Sequence, residues 1–233
     1  MLVSGRNNCK EILKNFSDKN FIKKVICMNN FNEKDLLSLI EKRNLKIIYK
    51  EKAELDRLAK NNHQGIIMDV EDFSYVSLDE ITKGKNSKIV ILDHLEDPHN
   101  LGAIIRTVEA SGIDGIILPK DRSVSVNETV MKTSVGALYN VKICLVVNLN
   151  QTIKKLKSLG YWIIGTDMNG SNYQEFNYPE KTALVIGSEG FGMSRLVKEA
   201  CDYVVSIPMN GKINSLNASV AAGIMIYELI RKR

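Results

Sequence analysis

Residues 182–190 of the chain read TALVIGSEG, an apolar run that ends in a polar turn with two glycines. Continuous apolar runs of this kind are typical of strands buried on both faces, as in a parallel sheet that helices cover. Residues 88–209 contain five more such runs, namely KIVILDHL, GIDGIILP, VKICLVV, YWIIGTD and YVVSIPM. Helical patterns alternate with them, namely LGAIIRTVEAS, VNETVMKTSVGALY, NQTIKKLKSLG, MSRLVKEAC and NASVAAGIMIYELIRKR. This alternation predicts an α/β fold with a parallel sheet.

Glycine and proline are distributed unevenly along the chain. Residues 1–85 contain three of the 15 glycines and none of the four prolines. The shift in composition predicts a small unit over residues 1–72, a linker over residues 73–87 and a larger unit over residues 88–233. Helical patterns and short strand-like runs also alternate in the first unit, so we predict a small α/β domain there.

The composition excludes several classes of protein. The chain has 233 residues, of which 44% are hydrophobic and 25% are charged, as in soluble globular proteins. No apolar run approaches the roughly 18 residues that span a bilayer, and the first residues lack the apolar centre of a signal peptide. We therefore expect a cytoplasmic protein without a membrane partner. The net charge of +5 is compatible with a nucleic-acid partner but does not indicate one.

The cysteines and histidines do not indicate a metal site. The four cysteines are widely spaced and form no C-x-x-C pair, and the three histidines are scattered. This spacing favours neither a zinc site nor a disulfide framework, so we predict reduced thiols in the core and no metal.

Three loops follow predicted strands at the edge where parallel sheets hold their ligands. The first reads DPHNLGAIIR over residues 97–106. Asn100 is either the N-cap of the next helix or a side chain that faces a ligand. Arg106 lies in an apolar stretch of that helix, so we expect a buried guanidinium with a carboxylate or phosphate partner. A structural salt bridge would satisfy it equally well.

The second and third loops are rich in small residues. The second reads GSEGFG over residues 187–192, where glycines allow a ligand to approach the backbone. Glu189 disfavours a phosphate and suits a cation or a hydroxyl group, unless it only caps the following helix. The third reads NGKINSLNAS over residues 210–219 and carries more small polar side chains than one N-cap needs, so we expect some of them to face a ligand.

These three loops, in this order, resemble the three signature motifs of the SpoU family of RNA ribose 2'-O-methyltransferases, in the SPOUT superfamily. The resemblance covers about residues 88–231 and rests on DPHNLGAIIRTVEASG, LVIGSEGFGMS and IPMNGKINSLNASVAAGI. In the first unit, LVSGRNNCKEIL and residues 62–65 (NHQG) resemble the small substrate-binding domain of the family's large-ribosomal-RNA branch. The resemblance therefore implies an RNA-selecting unit followed by a catalytic unit.

The resemblance also implies a fold, a cofactor and a set of site residues. The larger unit would be a trefoil-knotted SPOUT domain that forms a homodimer and binds S-adenosyl-L-methionine without a metal. The catalytic or active-site positions would be Arg106, Asn100, Glu189, Ser215 and Asn217. The residues that contact the cofactor would be Gly187, Ile207 and Leu216.

The implied activity is methylation of a ribose 2'-hydroxyl in RNA. The separate amino-terminal unit favours a guanosine of 23S rRNA as the target, and ribose methylation of tRNA is the alternative. A dinucleotide-dependent oxidoreductase is disfavoured because no G-x-G-x-x-G follows a strand with an acidic residue about 20 positions later. An RNA-binding module without catalysis is disfavoured because all three motifs keep their polar residues.

Overall fold

The computed structural model describes residues 1–16, 21–59, 62–85, 87–213 and 215–231. The chain divides into two compact units, Met1–Ser74 and Tyr75–Arg233. Within the described ranges, no helix is both long enough and apolar enough to cross a membrane.

In the described residues of the first unit, three helices accompany a four-stranded sheet. Its elements are, in chain order, β1 (Leu2–Ser4), α1 (Arg6–Asn15), β2 (Ile22–Met28), α2 (Lys34–Lys42), β3 (Ile47–Lys50), α3 (Lys52–Leu58) and β4 (Ile66–Val70). The strand order is β1-β4-β2-β3, in which β4 is antiparallel to both neighbours and β2 is parallel to β3. Strands β1, β2 and β3 therefore end at the edge of the sheet where β4 begins.

The part of the second unit that the structure describes contains a sheet of six parallel strands. Its elements are α4 (Leu78–Ile81), β5 (Lys88–Asp93), α5 (Pro98–Ser111), β6 (Gly115–Pro119), α6 (Glu128–Ser134), β7 (Ile143–Val146), α7 (Leu149–Ser158), β8 (Trp162–Asn172), β9 (Thr182–Gly187), α8 (Arg195–Glu199), β10 (Tyr203–Ser206) and α9 (Ala218–Ile230). The strand order is β10-β8-β9-β5-β6-β7, and every pairing is parallel. The predicted α/β fold with a parallel sheet is confirmed, and the trefoil knot stays a prediction.

Burial explains why the apolar runs form this sheet. Residues 89–92 of β5 and 183–185 of β9 are fully buried, so both faces of these strands are covered. Each fully buried Ile or Leu contributes about 1.5–3 kcal/mol relative to an exposed one. The last residues of the two strands, Asp93 and Gly187, are paired. The loops that follow β5 and β9 therefore leave the sheet side by side.

The predicted linker over residues 73–87 differs from the observed division. The backbone N–H of Val76 donates to the carbonyl of Ile143 at 2.9 Å, and Ile81 of α4 is buried in the core of the second unit. A capping box between Ser77 and Glu80 begins this short helix. Residues 75–85 thus pack with the second unit.

Two elements differ from the sequence patterns. The helix predicted over residues 126–139 ends at Ser134, because Val135 (φ 51°) and Gly136 (φ 87°) are left-handed, and a 3-10 turn follows over Ala137–Asn140. Strand β1 is not predicted, because three residues are too few to show a period.

Candidate active site

Three polar side chains from three loops form a closed hydrogen-bonded triangle in the second unit. Asn100 Nδ2 donates to Glu189 Oε1 at 2.6 Å, and Asn217 Nδ2 donates to the same oxygen at 2.5 Å. Asn217 Nδ2 also donates to Asn100 Oδ1 at 3.0 Å. Asn100 is buried, whereas Glu189 and Asn217 are exposed. One residue from each predicted motif therefore meets at a single place.

Asn100 reaches the triangle because another residue caps its helix. The N-cap of α5 is Asp97, whose carboxylate accepts from the His99 backbone N–H at 2.9 Å, and Pro98 occupies the first helical position. The interpretation of Asn100 as an N-cap is therefore wrong. It lies in the first turn of α5, with its amide directed at Glu189.

Asn217 is both a helix cap and a member of the triangle. Its Oδ1 accepts from the backbone N–H groups of Ser219 (3.0 Å) and Val220 (3.3 Å) at the start of α9. Because the oxygen faces the helix, the amide nitrogen faces Asn100 and Glu189. The first turn of α9 thus fixes which hydrogen-bonding group Asn217 presents to the site.

Glu189 lies at the start of α9 and not at the helix that follows it. Its Oε1 is 3.4 Å from the backbone N of Ala218, where the helix macrodipole favours a negative charge. The N-cap of the following helix α8 is Ser194. The alternative in which Glu189 caps α8 is therefore wrong.

Paired backbone hydrogen bonds hold the loop that carries Glu189. Ser188 N donates to Gly192 O at 3.0 Å, and Gly192 N donates to Ser188 O at 2.9 Å. A Cβ atom at Gly187 would lie 2.2 Å from the carbonyl carbon of Gly192, so only glycine fits there.

The sequence patterns missed one anchor of this loop. The fully buried Asp93 accepts from the Ser194 backbone N–H at 2.6 Å, and an acidic residue at the end of a buried strand was the available signal.

A pocket of about 440 Å³ lies beside the triangle. Gly187, Ile207 and Leu216, the predicted cofactor residues, all line it, as do Ser215 and Glu189. The structure thus brings seven of the eight predicted residues together. Asn100, Glu189 and Asn217 form the triangle, and the other four line the pocket beside it. Arg106 is the exception.

Two carboxylates and several apolar side chains face this pocket. Asp167 lines the wall and forms a salt bridge with Lys198 at 2.8 Å. Burial acts to raise the pKa of Asp167, but hydrogen bonds from Lys198 and the Asn169 backbone, with the charge of Lys198, outweigh burial and lower that pKa. The apolar lining includes Ile186 and Val205. This combination suits a ligand with a flat apolar part and a positive charge.

Arg106 lies apart from the triangle. It is exposed, and no salt bridge to it is found in the described part of the chain. The expectation of a buried guanidinium is therefore wrong. Its neighbours Ile104, Ile105 and Val108 face the core, and position 106 of the helix projects to solvent.

Two family models match the chain. The SpoU rRNA Methylase family model matches residues 87–227, and the model for RNA 2'-O ribose methyltransferase substrate binding matches residues 2–76. The chain belongs to the SpoU rRNA methylase family. The prediction of an RNA methyltransferase is thereby confirmed.

Proteins of similar sequence agree with this membership. A Staphylococcus saprophyticus protein assigned to the TrmH family of tRNA/rRNA methyltransferases is 43% identical, over 100% of this chain and 96% of that protein. YacO of Bacillus subtilis, assigned to the same family, is 41% identical, over 99% of this chain and 95% of YacO.

The solved structures support the fold. The SpoU methyltransferase AviRb from Streptomyces viridochromogenes, in complex with AdoMet, has a TM-score of 0.82 at 24% identity, covering 99% of this chain and 89% of AviRb. The A. aeolicus TrmH/SpoU tRNA modifying enzyme has a TM-score of 0.56 at 32% identity, covering 66% of this chain and 79% of that enzyme. This SpoU-family chain therefore shares the AviRb fold over nearly its full length.

Proposed function

We propose that the chain methylates a ribose 2'-hydroxyl of RNA with S-adenosylmethionine as donor, that its target is a guanosine of 23S rRNA, and that it acts as a cytoplasmic homodimer. The observation that carries the proposal is the meeting of one residue from each motif, Asn100, Glu189 and Asn217, which bond to one another beside a pocket that the second and third loops line. The match of the first unit to a 2'-O ribose substrate-binding model supports the ribose as acceptor.

The pocket beside the triangle fits S-adenosylmethionine, whose sulfonium makes the attached methyl group electrophilic. Ile207 and Leu216 offer apolar surface to its adenine, and Gly187 lines the same pocket. The carboxylates of Asp167 and Glu189 complement its positive charge. The crystal structure of AviRb with AdoMet supports the same donor in this fold.

Glu189 positions the two amides that face the acceptor. Its carboxylate fixes both amides. The groups of Asn217 are all used in the triangle and at the start of α9, so the remaining N–H and acceptor site of Asn100 are the ones oriented before RNA binds. Ser215 lies on the pocket wall and presents a hydroxyl to the same region. We assign these three side chains to orienting the ribose and the methyl donor.

Arg106 binds the phosphate next to the reactive ribose and stabilises negative charge that develops on its oxygen. A guanidinium keeps its proton at neutral pH, so it does not serve as the proton acceptor. Its exposure leaves the fork of N–H groups open to a phosphate.

The position of Arg106 supports the homodimer. It lies six positions after Asn100 on α5, which places the two side chains about 120° apart around the helix and roughly 9 Å apart along it. Helix α5 packs against α9, whose Val220 and Tyr227 are 50% and 54% exposed. We propose that a second copy covers this apolar surface and that its Arg106 completes the site.

The substrate assignment rests on the first unit. The A. aeolicus tRNA modifying enzyme matches 66% of this chain, whereas an rRNA methyltransferase from Sinorhizobium meliloti matches 98%. The amino-terminal unit therefore supports ribosomal RNA over tRNA. Mapping of 2'-O-methylated positions in both RNAs, with and without the gene, decides between them, and a position lost only from tRNA would contradict the 23S assignment.

Arg106→Ala tests the active site. We expect methyl transfer to bulk RNA to fall at least about 100-fold, because the phosphate contact and the charge stabilisation are lost together. Calorimetry should give an S-adenosylmethionine affinity within about twofold of the wild type, since the pocket is untouched. Arg43→Ala, at the end of α2, is the matched control. Near-normal transfer by Arg106→Ala would overturn the assignment.

A further inference from the structure

A second pocket, of about 650 Å³, lies in the first unit. Its size is within the roughly 300–1,000 Å³ of ligand pockets. It lies at the edge where β1, β2 and β3 end and β4 begins. We call it the amide pocket, because its rim carries Asn30, Asn32, Asn62 and Gln64, with Arg6 and Lys52 beside them.

The floor of the amide pocket is apolar and rigid. Met28, Phe31 and Ala59 line it, and Phe31 and Ala59 are each 8% exposed. Gly65 lies directly behind the ring, because a Cβ atom there would be 3.0 Å from Phe31 Cδ2. This floor offers apolar surface beneath the amides, of the kind against which a nucleobase packs.

One wall is held in a strained conformation by several hydrogen bonds. Gln64 has a φ of 50°, unusual for a residue other than glycine. Its Oε1 accepts from the Arg6 backbone N–H at 2.8 Å, and its carbonyl accepts from Arg6 Nε at 3.2 Å. Its own N–H donates to Asn62 Oδ1 at 3.2 Å. Strain that is fixed in this way is common at binding sites, where it prepares a loop for a ligand.

The buried His63 fixes the same loop from inside. It is 5% exposed, its Nδ1 accepts from the Gly65 N–H at 3.0 Å, and its Nε2 bonds to Asp56 Oδ1 at 2.9 Å. Arg6 is paired with Glu33 at 2.5 Å and lies 5.9 Å from the centre of the Phe31 ring. The acidic residues Asp56 and Glu33 therefore already have partners. The polar groups that remain on the rim are the amides and Lys52.

The chemistry of the rim indicates the ligand. A side-chain amide carries a donor and an acceptor, the pair that reads the edge of a base. A lysine beside such amides binds the phosphate as a point charge. We propose that the amide pocket binds one unpaired nucleotide of the RNA substrate, with the base on the Phe31 floor, the amides at its edge and Lys52 at its phosphate. This inference rests on the proposed function, because it deepens the substrate class to RNA with an unpaired nucleotide outside the reactive site.

Binding of the full chain to RNA tests the proposal. The probes are a random single-stranded RNA 12-mer, the same 12-mer annealed to its complement, and free nucleoside monophosphates, measured by fluorescence anisotropy or competition. We expect Asn30→Ala/Asn32→Ala to weaken binding of the single strand about tenfold, in the range found for lost base contacts. Binding of the duplex should change by less than about twofold, because its bases are not available.

Lys52→Ala gives an independent readout. Loss of one phosphate contact on a single strand should reduce the slope of log K against log salt by about 0.7. Asn15→Ala and Lys42→Ala are matched controls, since both side chains are exposed on helices and neither lines the pocket. In parallel, RNA that contains 4-thiouridine should crosslink to peptides that include residues 28–32 or 62–65.

The outcomes separate this proposal from the proposed function. If the wild type methylates RNA while both pocket variants bind it normally and the crosslinks lie elsewhere, the amide pocket is overturned and the methyltransferase stands. Free monophosphates that bind as tightly as RNA would assign the pocket to a small molecule and also overturn it. If the wild type methylates no RNA, the proposed function fails, and the crosslinks alone then decide the pocket.

Discussion

The two sheets both carry a pocket at the edge where their strands end, but the polar groups at the two edges are arranged differently. In the second unit, Asn100, Glu189 and Asn217 bond to one another across three loops. In the first unit, Asn30 and Asn32 stand on an open rim above an apolar floor. Mutual bonding fixes one geometry, which a reaction requires, whereas an open rim leaves donors and acceptors available to a ligand.

The two units also differ in what surrounds a glycine at each pocket, Gly187 in the second unit and Gly65 in the first. A Cβ atom at Gly187 would meet backbone atoms of the opposite side of its own loop. A Cβ atom at Gly65 would meet the edge of an aromatic side chain. Backbone held by paired hydrogen bonds moves less readily than a ring, so we expect the same substitution to have unequal effects.

Gly187→Ala should give the largest effect. The added methyl group would lie 2.2 Å from Gly192 C and 2.3 Å from Met193 N, so the loop that carries Glu189 must shift. Because a displacement near 1 Å in a reactive site costs about 100-fold, we expect methyl transfer to fall at least that far and S-adenosylmethionine affinity to fall with it. Radiolabelled methyl transfer and calorimetry measure the two losses.

Gly65→Ala is the counterpart in the first unit. Its φ of 84° alone costs an L-residue about 1–2 kcal/mol of unfolding free energy, and the Phe31 contact at 3.0 Å adds to this. Chemical denaturation should show that loss, with S-adenosylmethionine affinity unchanged. Equal losses of cofactor affinity in the two variants would remove the proposed difference between the units.

Glu189→Ala tests the triangle by removing the atom that both amides share. We expect kcat to fall about 100-fold with a small change in KM for RNA, because Asn100 loses the acceptor that fixes its amide while Asn217 stays held by the start of α9. Glu189→Gln should recover part of the rate, since its amide oxygen still accepts a hydrogen bond.

The control for this change is Glu199→Ala, which removes a surface pair with Arg195 at the end of α8. It should leave kcat within about twofold, as expected for an exposed ion pair. If Glu189→Ala changes KM and leaves kcat intact, Glu189 binds RNA and does not position the amides.

Much of the fold and part of the site are predictable from the sequence. The apolar runs around β5 and β9 are long enough to indicate buried parallel strands, and the rule for strand ends then selects the three loops. The meeting of Asn100 with Glu189 follows, because Asp93 and Gly187 end adjacent strands. The assignment of the RNA-methyltransferase family depends on whole motifs, which periodicity does not supply.

Three features were not predicted from the sequence, each for a physical reason. Arg106 is surrounded in sequence by buried residues, but successive helix positions turn by about 100°, so an apolar stretch still has a solvent side. Val135 adopts a left-handed backbone that its β-branched side chain disfavours, so residue type gives no sign that the helix ends there. Asp93 bonds to Ser194, 101 positions along the chain, and no local pattern reveals such a contact.

The smallest expected effect compares one carboxylate in each unit across pH. Asp167 pairs with Lys198 with 16% of its side chain exposed, and Asp35 pairs with Lys10 with 77% exposed. The hydrogen bond and the charge of Lys10 lower the pKa of Asp35, and the pKa of Asp167 is also lowered. A lowered folded-state pKa means that each pair stabilises the fold above the unfolded pKa of about 3.9 and loses this as pH falls through the folded value.

Thermal unfolding of Asp167→Asn and Asp35→Asn between pH 2 and pH 8 measures these contributions. The Tm difference from the wild type should be constant above about pH 5 and should shrink toward zero below about pH 3. At 1 M salt, where the screening length is about 3 Å, the Asp35 difference should disappear and part of the Asp167 difference should persist, because the second pair is shielded from solvent. A difference that grows on acidification would show that the carboxylate is protonated in the folded state, contrary to both assignments.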